Sequence, residues 1–129
     1  MNNTATNTVQ SPETSARDEL RLRVLRALEA NPELSQRQLA AELGVSLGGV
    51  NYALKALMER GFVKAGNFRK SGRKVVYLYV LTPAGIAEKT SLAVAFLGRK
   101  LAEYEVLKQE IEALKGEVGS GASGTGAGS

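Results

Sequence analysis

Ser46, Asn51, Tyr52 and Lys55 fall within the stretch "VSLGGVNYALKAL", at intervals that return to one side of an α-helix. Their chemistry is recognition rather than bond-making. An Asn amide can bond an adenine edge in two places, a Lys ammonium reaches guanine or phosphate, and a Tyr bonds phosphate or packs on sugar. Cysteine and histidine are both absent. That removes disulfides, thiol redox sensing, Cys/His zinc sites and every Ser-His or Cys-His catalytic arrangement. Carboxylate-only chemistry stays open, but no acidic pair has the pattern of a cleft. The expectation is a protein that is not an enzyme and needs no metal and no cofactor.

Charge is distributed unevenly. The chain of 129 residues has a formal net charge of +4. Arg60, Lys64, Arg69, Lys70, Arg73 and Lys74 lie in residues 60–87 with no acid among them, while the segments on either side each carry one more acid than base. Such a cluster is the footprint of a surface facing a polyanion, or else a solvated basic loop.

The elements that must position these residues can be read from spacing. Residues 1–14 are polar and are expected to form a disordered tail. A first helix is expected from Ser15, with Ser15 and Asp18 as a capping-box-like start and Leu20, Val24, Leu25 and Leu28 facing inward. Asn31-Pro32 ends it. A second helix opens on Ser35 and Gln38, turns Leu39, Ala40 and Leu43 inward, and stops at Gly44. Val45 plugs the turn. Ser46 caps a third helix with Val50, Ala53, Leu54 and Leu57 inside, and Gly61 ends it. Then the period changes. "FVKAGNF" (62–68) and "KVVYLYVL" (74–81) read as strands joined at Ser71-Gly72. Thr82-Pro83 starts a final helix, cap then first helical position, running to about Val118. Residues 119–129 are Gly, Ser, Ala and Thr and are expected to be flexible coil.

These elements predict a mainly α fold with a small β-hairpin: a winged helix-turn-helix over residues 15–82, then a long helix over 83–118. In such a fold Gln36, Arg37 and Gln38 lie where the second helix crosses a nucleic-acid backbone. Arg69, Lys70, Arg73 and Lys74 lie in the wing, either reading the minor groove and phosphates or forming a charged edge that blocks aggregation. On the last helix, Tyr104, Leu107, Ile111, Leu114 and Val118 repeat as a coiled-coil seam, and Phe96, Leu97 and Leu101 extend it with a shift of register. At 1.5 Å per residue, 83–118 spans about 54 Å. Either that helix folds back over its own core or it joins a second copy.

Residues 17–118 resemble the winged-helix regulators of the MarR superfamily, and among them the EPS-associated MarR-family regulators. The resemblance rests on "LRALEANPELSQRQLAAELGVSLGGVNYALKALMERGFVKAGNF", "YVLTPAGIAEK" and "FLGRKLAEYEVLKQEIEAL". It implies a homodimeric transcriptional regulator binding double-stranded DNA, with a link to exopolysaccharide genes. In many family members the positions of Leu47, Gly48 and Gly49 carry Lys, Ser and Thr, which donate to DNA. Here those donors are missing. Either the glycines let the backbone approach DNA, with main-chain N–H groups at the helix N-terminus meeting phosphate, or the first turn tolerates glycine because its N–H groups have no intrahelical partner. With few side chains left for base-specific bonds, specificity leans on DNA shape and the wing.

The expected partners are thus DNA and a second copy, in the cytoplasm at the nucleoid, with no membrane: the chain has neither an apolar run of the roughly 20 residues a membrane helix needs nor a signal peptide. The alternative is a protein-interaction adaptor whose winged helix docks a protein and whose long helix joins a hetero-coiled coil. Whether a small-molecule effector binds is left open, since a large apolar pocket is hard to build from one long helix and the first helix.

Overall fold

The computed structural model describes residues 12–70, 72 and 74–128, except for the side chains of residues 12, 13, 70 and 122–128. Six elements follow in order: α1 (Pro12–Ala30), α2 (Gln36–Leu43), α3 (Leu47–Glu59), β1 (Val63–Lys70), β2 (Lys74–Leu81) and α4 (Pro83–Gly128). The chain divides into two units, Met1–Ala93 and Val94–Ser129. The first holds the three short helices, the hairpin and the opening turns of α4; the second is the remainder of α4. Among the described residues no helix is long and apolar enough to cross a membrane.

The first unit is built on one core. Leu22, Val24, Leu25 and Leu28 of α1 meet Leu39 of α2 and Val50, Leu54 and Leu57 of α3, all buried. Burying a side chain of this size is worth about 1.5–3 kcal/mol, so these residues hold the three helices together. Leu22 and Ala27 join the buried face of α1, whereas Leu20, expected inside, is half-buried, as is Leu43 of α2.

Helix ends are fixed by local chemistry. Ser35 and Gln38 form the expected capping box, and Gly44 takes the left-handed conformation at φ 69°. Its amide donates to Ala41 O, and that of Val45 to Ala40 O, closing the turn of the helix-turn-helix. Arg23 Nη2 donates to the Leu43 carbonyl at 2.6 Å, adding a cation at the C-terminus of α2. Gly61 repeats the device at the end of α3, with φ 78° and Phe62 N donating to Leu57 O.

α1 begins earlier than expected. It starts at Pro12, so Ser15 lies inside it rather than capping it. Proline suits a first helical position because its missing N–H has no partner there anyway. Asp18 is turned instead to Arg21, 2.7 Å away. Residues 12–14 of the expected tail are therefore helical, and 1–11 lie outside the described residues.

β1 and β2 pair antiparallel, from Val63↔Leu81 to Lys70↔Lys74. Gly72 turns the tip at φ 76°; Ser71 and Arg73 lie outside the described residues. Val63 and Tyr79 are the buried residues of the hairpin. Tyr79 N donates to Pro32 O at 3.0 Å, tying the outer edge of β2 to the connection between α1 and α2.

The start of α4 is locked to the end of α3. The Thr82 hydroxyl donates to Gly61 O at 2.6 Å and accepts from Gly85 N at 3.0 Å, while Thr82 N donates to Phe62 O. A Cβ at Gly85 would stand 2.0 Å from Phe62 O, so only glycine lets the two backbones approach this closely. Leu92 is buried, and Lys89 bonds Glu29 of α1.

In the second unit, α4 runs to Gly128 rather than ending near Val118. Residues 119–128 contain no proline, and glycine, serine and alanine all accept helical backbone angles, so the hydrogen-bonded ladder continues.

Candidate nucleic-acid interface

α3 presents opposite faces to two environments. Val50, Ala53, Leu54 and Leu57 are buried, and the residues between them point out. Asn51, Tyr52 and Lys55 are exposed, and together with Gly48, Ala56 and Glu59 they line one shallow depression along the helix. Gly48 opens its N-terminal end: a Cβ there would meet nothing within 4 Å.

The first turn distinguishes the two glycines. Ser46 caps the helix, its hydroxyl accepting from Gly49 N at 3.0 Å. The Gly49 amide, one of the main-chain donors considered for phosphate, is therefore already used, and a Cβ at Gly49 would crowd Ser46 Oγ at 3.2 Å. Leu47 and Gly48 have no such acceptor for their amides among the described residues. Neither glycine has a positive φ. Close backbone approach is thus possible at Gly48, on the open side of the helix.

α2 meets α3 through side chains. Asn51 Nδ2 donates to Gln36 Oε1 at 3.2 Å, and Gln36 Nε2 donates to the Tyr79 hydroxyl at 3.1 Å. Asn51 of α3, Gln36 of α2 and Tyr79 of β2 form one relay. Asn51 keeps its own carbonyl oxygen for a further donor. Gln38 is committed to the capping box, accepting from Ser35 N at 2.9 Å, while Arg37 is exposed.

The wing supplies charge. Lys64, Arg69 and Lys74 are exposed along the hairpin. The backbone of Lys70 belongs to β1, but its side chain and the whole of Arg73 lie outside the described residues. The described wing-tip cations make no hydrogen bond to α3, so the sequence-selected residues form two groups: Gln36 and Asn51, joined directly, and the wing. Sequence reasoning missed Tyr79, which is 7% exposed and stacked edge-on against Tyr77 at 5.3 Å. The alternation of β2 could have placed it inward, but nothing in the sequence pairs its hydroxyl with Gln36. Exposed Phe68, Val75 and Tyr77 on the hairpin were missed as well.

On the second unit, Leu97, Leu101, Tyr104, Leu107, Ile111, Leu114 and Val118 are all exposed. Phe96 differs from them: it is half-buried, with Arg99 and Lys100 over its ring at 5.5 and 5.1 Å. Among the described residues no cluster of acidic side chains could hold a metal ion.

Residues 17–64 match the family described as winged helix-turn-helix DNA-binding. No curated protein matches the chain. Solved structures share its fold. The smu.1704 protein of Streptococcus mutans UA159 superposes with a TM-score of 0.60 at 14% identity, over 71% of this chain and 89% of that one. A provisionally assigned transcriptional regulator of Thermoplasma acidophilum gives 0.55 at 22% identity, over 68% and 90%. A MarR/EmrR family transcriptional regulator of Acinetobacter sp. ADP1 gives 0.51 at 19% identity, over 76% and 73%. With the helix-turn-helix of α2 and α3 matched and the β1–β2 hairpin standing as its wing, the chain has a winged helix-turn-helix fold.

Proposed function

We propose that this chain is a DNA-binding transcriptional regulator of the MarR type that acts as a homodimer, with exopolysaccharide genes among its targets. α3 enters the major groove with Gly48, Asn51, Tyr52 and Lys55 toward the DNA. Arg37 and the wing cations Arg69, Lys70, Arg73 and Lys74 neutralise flanking phosphates. The observation that carries this reading is the exposed polar face of α3, opened by Gly48 and lying in a segment matched to DNA-binding winged helices. Dimerisation through α4 suits it, because a two-fold protein matches a palindromic site.

The test is to sequence the DNA fragments that co-purify with the protein and titrate the enriched site at increasing salt. A DNA-binding regulator enriches a discrete sequence, upstream of exopolysaccharide genes if the resemblance holds, and loses affinity steeply with salt through counterion release. A protein-interaction adaptor enriches no sequence and shows no such slope. Leu107→Glu with Ile111→Glu tests the dimer: a protein that sediments as a monomer, keeps its circular dichroism and loses operator affinity supports it.

A further inference from the structure

The exposed residues of the second unit fall into a register. Leu97, Tyr104, Ile111 and Val118 recur every seventh residue, and Leu107 and Leu114 stand three residues after two of them. These are the a and d positions of a heptad. From Tyr104 to Val118 the five seam residues are 43–69% exposed, so the helix carries an apolar stripe open to a partner.

The positions beside the stripe are sorted by sign. In this register Glu103, Glu110 and Glu117 stand at g, and Lys108 and Lys115 stand at e. Two parallel helices in register place each g residue against the e residue of the following heptad on the other helix. Glu103 then meets the partner's Lys108, and Glu110 the partner's Lys115, in both directions. An antiparallel pair sets g against g and e against e, acid on acid and lysine on lysine. The seam residues agree: β-branched Ile111 and Val118 at a, with Leu107 and Leu114 at d, favour two parallel strands.

We infer that residues 104–118 of α4 pair with a second copy of this chain as a parallel, in-register, two-stranded coiled coil. This rests on the homodimer reading and specifies its orientation. The pairing begins at Tyr104 because the preceding d position is Lys100, whose ammonium bonds Glu103 of its own helix at 3.2 Å. Lys115 is 3.7 Å from Glu112 within its helix, with both side chains largely exposed. Such a pair is worth little, so Lys115 is free to turn to a partner. The parallel arrangement brings the N-terminal ends of both α4 helices to the same end of the coil.

The chain has no cysteine, so Val118→Cys introduces a single thiol at an exposed position. Under mild oxidation the full-length variant is expected to become a covalent dimer, while a mixture of Tyr104→Cys and size-tagged Val118→Cys chains gives no mixed 104–118 dimer. Sedimentation of the parent protein is measured alongside. A mixed 104–118 dimer without a 118–118 dimer overturns the orientation and leaves the homodimer standing. A parent that sediments as a monomer at micromolar concentration overturns both, and a parent of trimeric or larger mass overturns the two-stranded coil.

Discussion

Asn51 of α3 and Gln36 of α2 are joined by a hydrogen bond of 3.2 Å between their side-chain amides. Gln36 is itself held by Tyr79 at 3.1 Å, so the orientation of the one amide on the exposed face of α3 is set from the wing strand. A side chain already oriented loses less freedom when it meets a ligand. This makes Gln36 a positioning residue for Asn51 in the proposed interface.

Asn51→Ala is expected to cost about 1–3 kcal/mol of discrimination between the preferred site and a mismatched one. Gln36→Ala is expected to cost about 1 kcal/mol through the lost hydrogen bond. The double variant should lose less than the sum, since neither residue acts fully without the other. Competition titrations on the two sites measure all three; strict additivity would show that Gln36 does not act through Asn51.

Gly48 is expected to separate stability from binding. Gly48→Ala should raise the stability of the first unit by up to about 1 kcal/mol, because alanine is the better helix former and its Cβ meets no neighbour. The same substitution should weaken DNA binding, and Gly48→Glu should abolish it. Thermal melts beside DNA titrations give both signs. A Gly48→Glu protein that binds its site normally would turn this face away from DNA.

Arg69→Ala with Lys74→Ala should weaken binding to all duplexes alike and reduce the slope of log affinity against log salt by about two. The motive is the exposed pair of cations on the hairpin. An unchanged slope would mean that the wing does not touch phosphate.

Gly85→Ala should destabilise the protein by roughly 1–3 kcal/mol, the cost of forcing an extra carbon into a filled space. The obstacle is the Phe62 carbonyl, 2.0 Å from where the Cβ would lie. It is backbone and cannot swing aside as a side chain would. Denaturant unfolding measures the loss, and a stable variant would show that the α3–α4 junction relaxes.

Much of this was legible in the sequence because it is local. Ser35 with Gln38, Gly44, Ser46, Gly61 and Thr82-Pro83 announce helix ends through bonds within a few residues, and each acts as its type suggests. The core of α3 was legible from spacing alone. What escaped was long-range: the link from Gln36 to Tyr79 spans 43 positions, and the closeness of Gly85 to Phe62 depends on how the wing returns the chain. The start of α1 escaped for another reason. Pro12 and Ser15 both suit a helix start, and composition alone does not choose between them.

The Tyr79 amide also gives the domain an internal gauge. It donates across to Pro32 rather than along the ladder, and its residue is buried. Its hydrogen can exchange with solvent only when β2 parts from the connection between α1 and α2. Amides near the Gly72 tip need only local fraying. In a hydrogen-exchange experiment the rate at Tyr79, set against those at the tip, therefore measures the free energy of seating the wing on the helices.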